Sequence, residues 1–155
     1  VKNYLTIQKV RYADILNFEV NVDEELYNYK ILKLILQPLV ENAIYHGIKN
    51  KRGRGHLKLS AEYLNEEKKF MKFVVEDDGA GFTEERLNQV LSEMLGAQEN
   101  EEKLNSIYGL YNVNKKLILY YNSQDSGLKI ESCFGKGSKI YFIIPCLNDN
   151  GESNV

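Results

Sequence analysis

The chain has 155 residues, 43% of them hydrophobic and 27% charged, with a formal net charge of −2. This is the composition of one ordinary globular domain, and it gives no electrostatic footprint for nucleic acid, so we expect no nucleic-acid partner. The apolar runs are too short to span a bilayer, and the two cysteines show neither metal-ligand spacing nor a disulfide framework. We expect a cytosolic setting with free thiols.

The first half of the chain predicts a helix, a strand, a second helix and a hairpin. Apolar spacing is helical over residues 4–13 and alternates with period two over 15–23. It is helical again over 33–47, where Pro38 must lie in the first turn or kink the helix and Gly47 is a natural C-cap. Two alternating segments, 55–64 and 69–76, flank a polar turn and indicate a β-hairpin.

The second half predicts two further helices and two further strands. Thr83, followed by two glutamates, is a good start for a helix over 83–95, and a polar, acidic segment that we expect to be a mobile loop follows it. A helix is predicted over 109–121, and strands over 128–133 and 138–145. Because the strands come in pairs and do not alternate strictly with helices, we predict an α+β two-layer sandwich, with a mixed sheet and helices on one face.

A glycine-rich loop with two acids follows the strand of the hairpin. Its pattern is Asp77-x-Gly79-x-Gly81, which fits neither a Walker A loop nor a Rossmann turn nor a calcium loop. An Asp at a strand end can accept a hydrogen bond from an exocyclic amine, and glycines allow a flat base to approach the backbone. A strand-to-helix turn with solvated acids is the alternative interpretation.

Three further segments could belong to the same site. Asn42 and His46 are four residues apart, hence on one helix face, and an Asn oxygen suits Mg²⁺. Gly109 begins a helix whose free N–H groups suit a polyphosphate. Gly135-x-Gly137-Ser138 forms the turn between the last two strands. Taken singly, Asn42 could merely bond the backbone and His46 could merely pack near a helix end.

Together these four segments resemble the GHKL (Bergerat) ATP-binding fold, and within it the catalytic domain of sensor histidine kinases of the YesM/LytS type. The segment LQPLVENAIYHG is similar to the N box of that group, DDGAGF to its G1 box, YGLYNVNKKL to its G2 box and GKGS to its last glycine box. The resemblance covers about four-fifths of the chain.

The resemblance implies a role for each matching residue in binding ATP and Mg²⁺. Asn42 would hold Mg²⁺, and Asp77 would accept from the adenine amine, with Asp78 at the rim. The residues implied to complete the nucleotide site are His46 as a lining residue, Gly79, Gly81 and Phe82 at the base pocket, Gly109 and Leu110 with backbone N–H groups toward the phosphates, and Ser138 supporting Asp77. Residues from about 82 to 108 would form a mobile ATP lid.

Some positions depart from the pattern of the group. Many histidine kinases carry a Lys where this chain has Tyr45, so the phosphate contact would come from elsewhere. The candidates are Lys49, Lys103 and Lys115. Ile107 replaces the first glycine of the G2 box, and Ser138 replaces the usual Thr while keeping the hydroxyl.

The implied activity is transfer of the ATP γ-phosphate to a protein histidine. ATPases of this fold place a general-base Glu where this chain has Pro38, so activation of water is disfavoured. Asn42 and Glu41 are the candidate catalytic residues. Glu41 would polarise a group near the γ-phosphate; the alternative is a solvated helix acid. Two other functions stay open: a nucleotide-binding module without transfer activity, and a GHKL ATPase.

The acceptor His is expected in an upstream helix that this chain does not include. We predict that residues 1–13 are the end of that dimerisation and phospho-acceptor helix or a linker, that 14–146 form the catalytic domain, and that 147–155 are a flexible tail. The resemblance implies a homodimer in the full-length protein, a response regulator as partner, and a cytoplasmic domain of a membrane-anchored sensor. The chain begins without Met, and we expect it to be a piece of a longer protein.

Overall fold

One five-stranded mixed sheet forms the centre of the domain. The structure, a computed structural model, describes residues 1–95 and 108–146. The strand order is β1-β2-β3-β5-β4, with β1 parallel to β2 and all other neighbours antiparallel. The strands are β1 (Leu16–Val22), β2 (Gly55–Tyr63), β3 (Phe70–Asp77), β4 (Lys129–Cys133) and β5 (Gly137–Pro145).

Within the described residues, four α-helices accompany the sheet. They are α1 (Lys2–Arg11), α2 (Leu36–Asn42), α3 (Glu84–Met94) and α4 (Tyr108–Tyr121). The helical path of α2 continues through a π-helical turn, Ala43–Gly47, and a 3-10 turn, Ile48–Asn50. Further 3-10 turns, Glu24–Asn28 and Gln124–Ser126, follow β1 and α4.

One face of the sheet carries the hydrophobic core of the described residues. Along β2, Leu57, Leu59 and Ala61 are buried while the residues between them are more exposed, which is the period-two pattern of a sheet covered on one side. The rings of Phe73 and Phe142 stack across β3 and β5 with centroids 5.1 Å apart. The predicted α+β sandwich with a mixed sheet is therefore confirmed.

Helix α1 belongs to the same core. Leu5 is fully buried in the cluster that also contains residues of the sheet, and Tyr4 and Tyr12 are half-buried against it. The helix predicted over residues 4–13 is confirmed, whereas the proposed domain boundary at residue 13 stays a prediction.

The predicted C-cap at Gly47 is wrong. Gly47 has φ −84° and ψ −78°, inside the helical region, and the chain continues in helical turns to Asn50. Pro38 is the third residue of α2, in the first turn, where a missing N–H removes no helical hydrogen bond. Glycine at position 47 is required for a different reason, its contact with the glycine-rich loop.

Other predicted elements follow the sequence pattern. Thr83 caps α3, since its Oγ1 accepts a hydrogen bond from the backbone N–H of Arg86 at 3.2 Å. Three predicted features fall wholly or partly outside the described residues. They are the loop over 96–106, residues 96–107 of the predicted lid and the tail 147–155. Lys103 and Ile107 lie there too. Within residues 1–95 and 108–146, no helix has the length and apolar character needed to cross a membrane.

Candidate functional site

Asp77 is the buried acid at one end of the site. It is the last residue of β3, it is 5% exposed, and it pairs in register with Ser138 on β5. Its Oδ1 accepts a hydrogen bond from the backbone N–H of Gly79 at 2.9 Å. Burial raises the pKa of Asp77 to about 6, although the Gly79 N–H acts against that rise. Because a carboxylate can accept about four hydrogen bonds, this side chain retains capacity for an outside donor.

Glycines 47 and 79 make room for that carboxylate. A Cβ on Gly47 would lie 2.3 Å from Asp77 Oδ1, and a Cβ on Gly79 would lie 2.3 Å from the carbonyl carbon of Gly47. The backbone N–H of Ala80 donates to the Gly47 carbonyl at 3.1 Å. The end of the α2 path and the glycine-rich loop therefore touch backbone to backbone beside Asp77. The sequence analysis missed Gly47 as a site residue, because a glycine after a helical pattern is usually a C-cap.

The last hairpin turn supports the loop from the other side. Gly81 has φ +66°, and a Cβ there would lie 2.2 Å from the carbonyl oxygen of Cys133. Gly137 has φ +109°, and a Cβ there would lie 1.9 Å from the carbonyl oxygen of Asp77. The N–H of Gly135 donates to the carbonyl of Ala80 at 2.7 Å. The predicted turn over 134–137 is thus packed directly against the glycine-rich loop.

Ser132 on β4 joins these two segments, and the sequence analysis did not identify it. Its Oγ accepts a hydrogen bond from the N–H of Phe82 at 2.8 Å and donates to the carbonyl of Gly137 at 2.9 Å. The same oxygen lies 3.0 Å from Ser138 Oγ. Since the single hydroxyl proton of Ser132 goes to Gly137, Ser138 is the donor in that pair. Ser138, opposite Asp77 and 7% exposed, is therefore held through Ser132.

The neighbouring acid Asp78 is paired with other groups. Its Oδ1 accepts from the backbone N–H of His56 at 2.7 Å, and its Oδ2 lies 2.8 Å from Lys51 Nζ. Partial desolvation opposes ionisation of Asp78, but the hydrogen bonds from Lys51 and His56 outweigh it, and its pKa is lowered. The side chain of Asp78 is 50% exposed, whereas Asp77 is buried; the place of Asp78 at the rim of a nucleotide site stays a prediction.

A separate cavity of about 200 Å³ lies along α2 and the first turn of α4. Five of the predicted site residues line it, together with Pro38 and Tyr45. The predicted residues that line it are Glu41, Asn42, His46, Gly109 and Leu110. The fold therefore brings the N-box segment and the start of α4 to one cavity, although they are far apart in the chain.

Three polar side chains line this cavity: the amide of Asn42, the carboxylate of Glu41 and the imidazole of His46. Asn42 is 8% exposed, and the carboxylate of Glu41 accepts a hydrogen bond from Gln37 Nε2 at 2.9 Å. Partial burial lowers the pKa of His46, and the positive charge of Arg86 lowers it further. His46 is therefore neutral at pH 7 and offers one donor and one acceptor nitrogen. Arg86, in the first turn of α3, is a cation near the cavity that the sequence analysis did not single out.

Three lysines were candidates for the phosphate contact. Lys49 and Lys115 do not line the cavity, and Lys103 lies outside the described residues. Lys49 Nζ lies over the rings of Tyr45 and Tyr12, 4.9 and 5.5 Å from their centroids, and Lys115 Nζ lies 5.7 Å from the Tyr111 centroid. Neither lysine is among the residues that line the cavity. The phosphate contact of any of the three candidates remains a prediction.

Comparison with known proteins identifies the family. The family model described as "Histidine kinase-, DNA gyrase B-, and HSP90-like ATPase" matches residues 27–148. The chain belongs to this family. It is 36% identical over 145 residues to the Sensor protein LytS of Oceanobacillus iheyensis and 31% identical over 149 residues to the Sensor histidine kinase YesM of Bacillus subtilis. These alignments cover 94% and 96% of this chain and 23% of each relative.

The fold of this histidine kinase- and HSP90-like ATPase domain is also found among solved structures. The histidine kinase domain of a blue-light activated histidine kinase from Erythrobacter litoralis EL346 matches with a TM-score of 0.60 at 18% identity, over 93% of this chain and 57% of that chain. The predicted GHKL fold and the resemblance to YesM/LytS-type kinases are thereby confirmed. The chain spans about a quarter of the length of the LytS and YesM relatives, so those proteins contain further segments.

Proposed function

We propose that this domain binds ATP with Mg²⁺ and transfers the γ-phosphate to a histidine in another part of the same protein, for relay to a response regulator. The observation that carries the proposal is the buried carboxylate of Asp77, enclosed by glycines and hydrogen-bonded to Gly79. A buried, ionised carboxylate requires hydrogen-bond donors in place of water, and the exocyclic amine of adenine is such a donor.

The two parts of the site would hold the two ends of the nucleotide. Asp77 would accept from the adenine amine, while Gly79, Gly81 and Phe82 would form the edge of the base pocket. The cavity of about 200 Å³ would take the phosphates, with N–H groups from Gly109 and Leu110 at the start of α4. The α2 path connects the two ends, since Gly47 touches Asp77 and Asn42 lines the cavity.

Asn42 is the residue that would hold Mg²⁺. Among residues 1–95 and 108–146, no group of three or more His, Cys, Asp or Glu side chains is placed to bind a metal. The amide oxygen of Asn42, in a cavity that also contains the proposed phosphate N–H donors, suits an ion that keeps several waters and binds through substrate phosphates. Mg²⁺ would neutralise charge on the phosphoryl group during transfer.

The residues of the cavity favour transfer over hydrolysis. Pro38 lines the cavity at the position where ATPases of this fold carry a general base, and proline cannot take a proton. His46 lines the cavity, and His56 is exposed beside Glu19, 3.7 Å from its carboxylate. Because we assign His46 to binding of the nucleotide and His56 does not line the cavity, the acceptor histidine would come from the upstream part of a homodimeric, membrane-anchored sensor whose catalytic domain faces the cytoplasm.

Calorimetry with ATP and Mg²⁺ on wild type and Asp77→Asn tests the nucleotide site. We expect the variant to bind roughly 5- to 150-fold more weakly, because a buried charge-assisted hydrogen bond contributes about 1–3 kcal/mol. Asp78→Asn is the matched control: it removes an adjacent carboxylate at the rim, and its affinity should equal that of wild type. Equal affinities for wild type and Asp77→Asn would refute the adenine contact.

Phosphoryl transfer is tested separately with labelled ATP. The isolated chain should bind ATP and stay unlabelled, whereas a protein that includes the upstream segment should acquire acid-labile label. Robust label on the isolated chain would contradict an upstream acceptor. Binding without label in the longer protein would favour a nucleotide-binding module without transfer activity, for which Tyr45 in place of the usual Lys is a reason.

A further inference from the structure

Three side chains lie in one row across strands β3, β5 and β4. Asp77 pairs in register with Ser138 on β5, and Ser138 pairs in register with Ser132 on β4. Directly opposed residues of antiparallel strands point to the same face of the sheet, with Cβ atoms about 5 Å apart. Both hydroxyls are therefore on the face of the sheet where the Asp77 carboxylate is buried.

The hydroxyl of Ser138 bonds to Ser132 and not to the carboxylate. Its Oγ lies 3.0 Å from Ser132 Oγ, to which it donates. Among the hydrogen bonds of residues 1–95 and 108–146, none joins the Ser138 hydroxyl to the Asp77 carboxylate, which is bonded to the N–H of Gly79. Any effect of this hydroxyl on Asp77 is therefore indirect, through packing or through Ser132.

Ser132 connects the row to the glycine-rich loop. Its Oγ accepts a hydrogen bond from the backbone N–H of Phe82 at 2.8 Å and donates to the carbonyl of Gly137 at 2.9 Å. Phe82 ends the loop just before α3, and Gly137 is the glycine whose Cβ would meet the carbonyl oxygen of Asp77. Both partners of Ser132 thus belong to the segments that enclose Asp77.

We infer that Ser132 is a positioning residue of the nucleotide site: its single hydroxyl holds the glycine-rich loop at Phe82 and the last hairpin turn at Gly137 in the spacing that the base pocket requires. The inference rests on the proposed function, because it assigns the space beside Asp77 to adenine. Removing the Ser132 hydroxyl breaks both bonds, whereas removing the Ser138 hydroxyl leaves both in place. Ser132 should therefore matter more for binding than Ser138, although Ser138 is the neighbour of Asp77 in the sheet.

Calorimetry with ATP and Mg²⁺ on wild type, Ser132→Ala and Ser138→Ala tests this order. We expect the dissociation constant for ATP to rise about threefold to tenfold in Ser132→Ala, within the range for one hydrogen bond, and to change by less than about twofold in Ser138→Ala. The loss stays in this range because the N–H of Gly135 still joins the turn to the loop at Ala80. The dissociation constant for adenosine should rise by the same factor as that for ATP, since the affected end of the site is the one assigned to the base.

A conservative variant separates positioning from a merely structural role. Ser132→Thr keeps the hydroxyl, and its ATP affinity should equal that of wild type. Ser60→Ala, which removes a half-buried hydroxyl on β2, is the matched control and should also bind like wild type. All titrations are made at a temperature where each variant is fully folded, so that a loss of stability alone does not change the dissociation constant.

Four results would overturn the inference while the proposed function stands. They are wild-type ATP affinity in Ser132→Ala, a larger loss in Ser138→Ala, a loss that Ser132→Thr does not restore, and a loss for ATP without one for adenosine. If wild type binds no ATP, the proposed function itself fails. Should Ser132→Ala not fold, amide hydrogen exchange of the wild-type protein gives the test: the N–H of Phe82 should be protected, and exchange at the rate of a free amide would refute its bond to Ser132.

Discussion

Replacing Asp77 by asparagine should stabilise the nucleotide-free domain at neutral pH while it weakens ATP binding. The side chain is 5% exposed, and burial is the largest cause of its raised pKa. Asparagine has nearly the same shape and keeps an oxygen that can accept the N–H of Gly79. The substitution therefore removes a buried charge without leaving that donor unpaired.

The size and pH range of the effect follow from the pKa. It rises from 3.8 to about 6 on folding, which corresponds to a penalty of at most about 3 kcal/mol, at 1.36 kcal/mol for each pH unit. Below pH 3.8 the carboxyl group of Asp77 is protonated in both states, and the penalty is absent. Between pH 3.8 and 6 the unfolded chain ionises first, so stability falls, and above pH 6 the full penalty remains. The advantage of Asp77→Asn should thus grow from pH 4 to 6 and then level off.

Urea denaturation of both proteins from pH 4.5 to 8 measures this difference. Asp78→Asn provides a control of opposite sign, because the pKa of Asp78 is lowered and its ionised form is stabilised by folding. That stabilisation is present above the ordinary Asp pKa and is lost as pH falls. Two results would refute the reasoning about burial. In the first, Asp77→Asn is less stable than wild type at pH 7; in the second, the difference in free energy of unfolding between the two proteins does not change with pH.

Three further substitutions test the glycines and the serine. Gly47→Ala should lower the free energy of unfolding by about 1–3 kcal/mol in urea titrations and weaken ATP binding, because its Cβ would lie 2.3 Å from Asp77 Oδ1. Ser132→Ala should lower the free energy of unfolding by about 1–3 kcal/mol in thermal denaturation, because the N–H of Phe82 loses its partner. Gly109→Ala should fold with up to about 1 kcal/mol greater stability, since the nearest atom to its Cβ is 3.6 Å away. A loss of ATP affinity in this variant, measured by calorimetry, would then report on backbone contact with the phosphates.

The helices and strands of the fold could be predicted from the sequence, because the periodicity of apolar residues is set within each segment. The alternating pattern of β2 and the polar turn between β2 and β3 specify a hairpin without reference to distant residues. The cap at Thr83 and the place of Pro38 in the first turn of α2 are likewise local effects. Boundaries shifted by only a few residues, as at α1, which begins at Lys2.

Contacts between distant segments could not be predicted in the same way. Ser132 is one serine in a short strand, and its partners at Phe82 and Gly137 belong to two other segments. The edge-on contact of Tyr12 with Tyr45 requires the end of α1 to dock on the helical path of α2, which helical spacing alone does not specify. The mistaken C-cap at Gly47 has the same origin, since the group that requires a glycine there is Asp77, thirty residues further along the chain.

Asp77 explains why the glycine motifs occur together. A Cβ at position 47 would meet its carboxylate oxygen, a Cβ at Gly79 would meet the backbone of Gly47, and a Cβ at Gly137 would lie 1.9 Å from its carbonyl oxygen. These glycines come from three motifs that are each common by chance in a sequence. Because all three surround one buried acid, a side chain at any of them would displace it. Their joint presence is therefore a single steric requirement of the space around Asp77, and it makes the combination far more specific than any one motif.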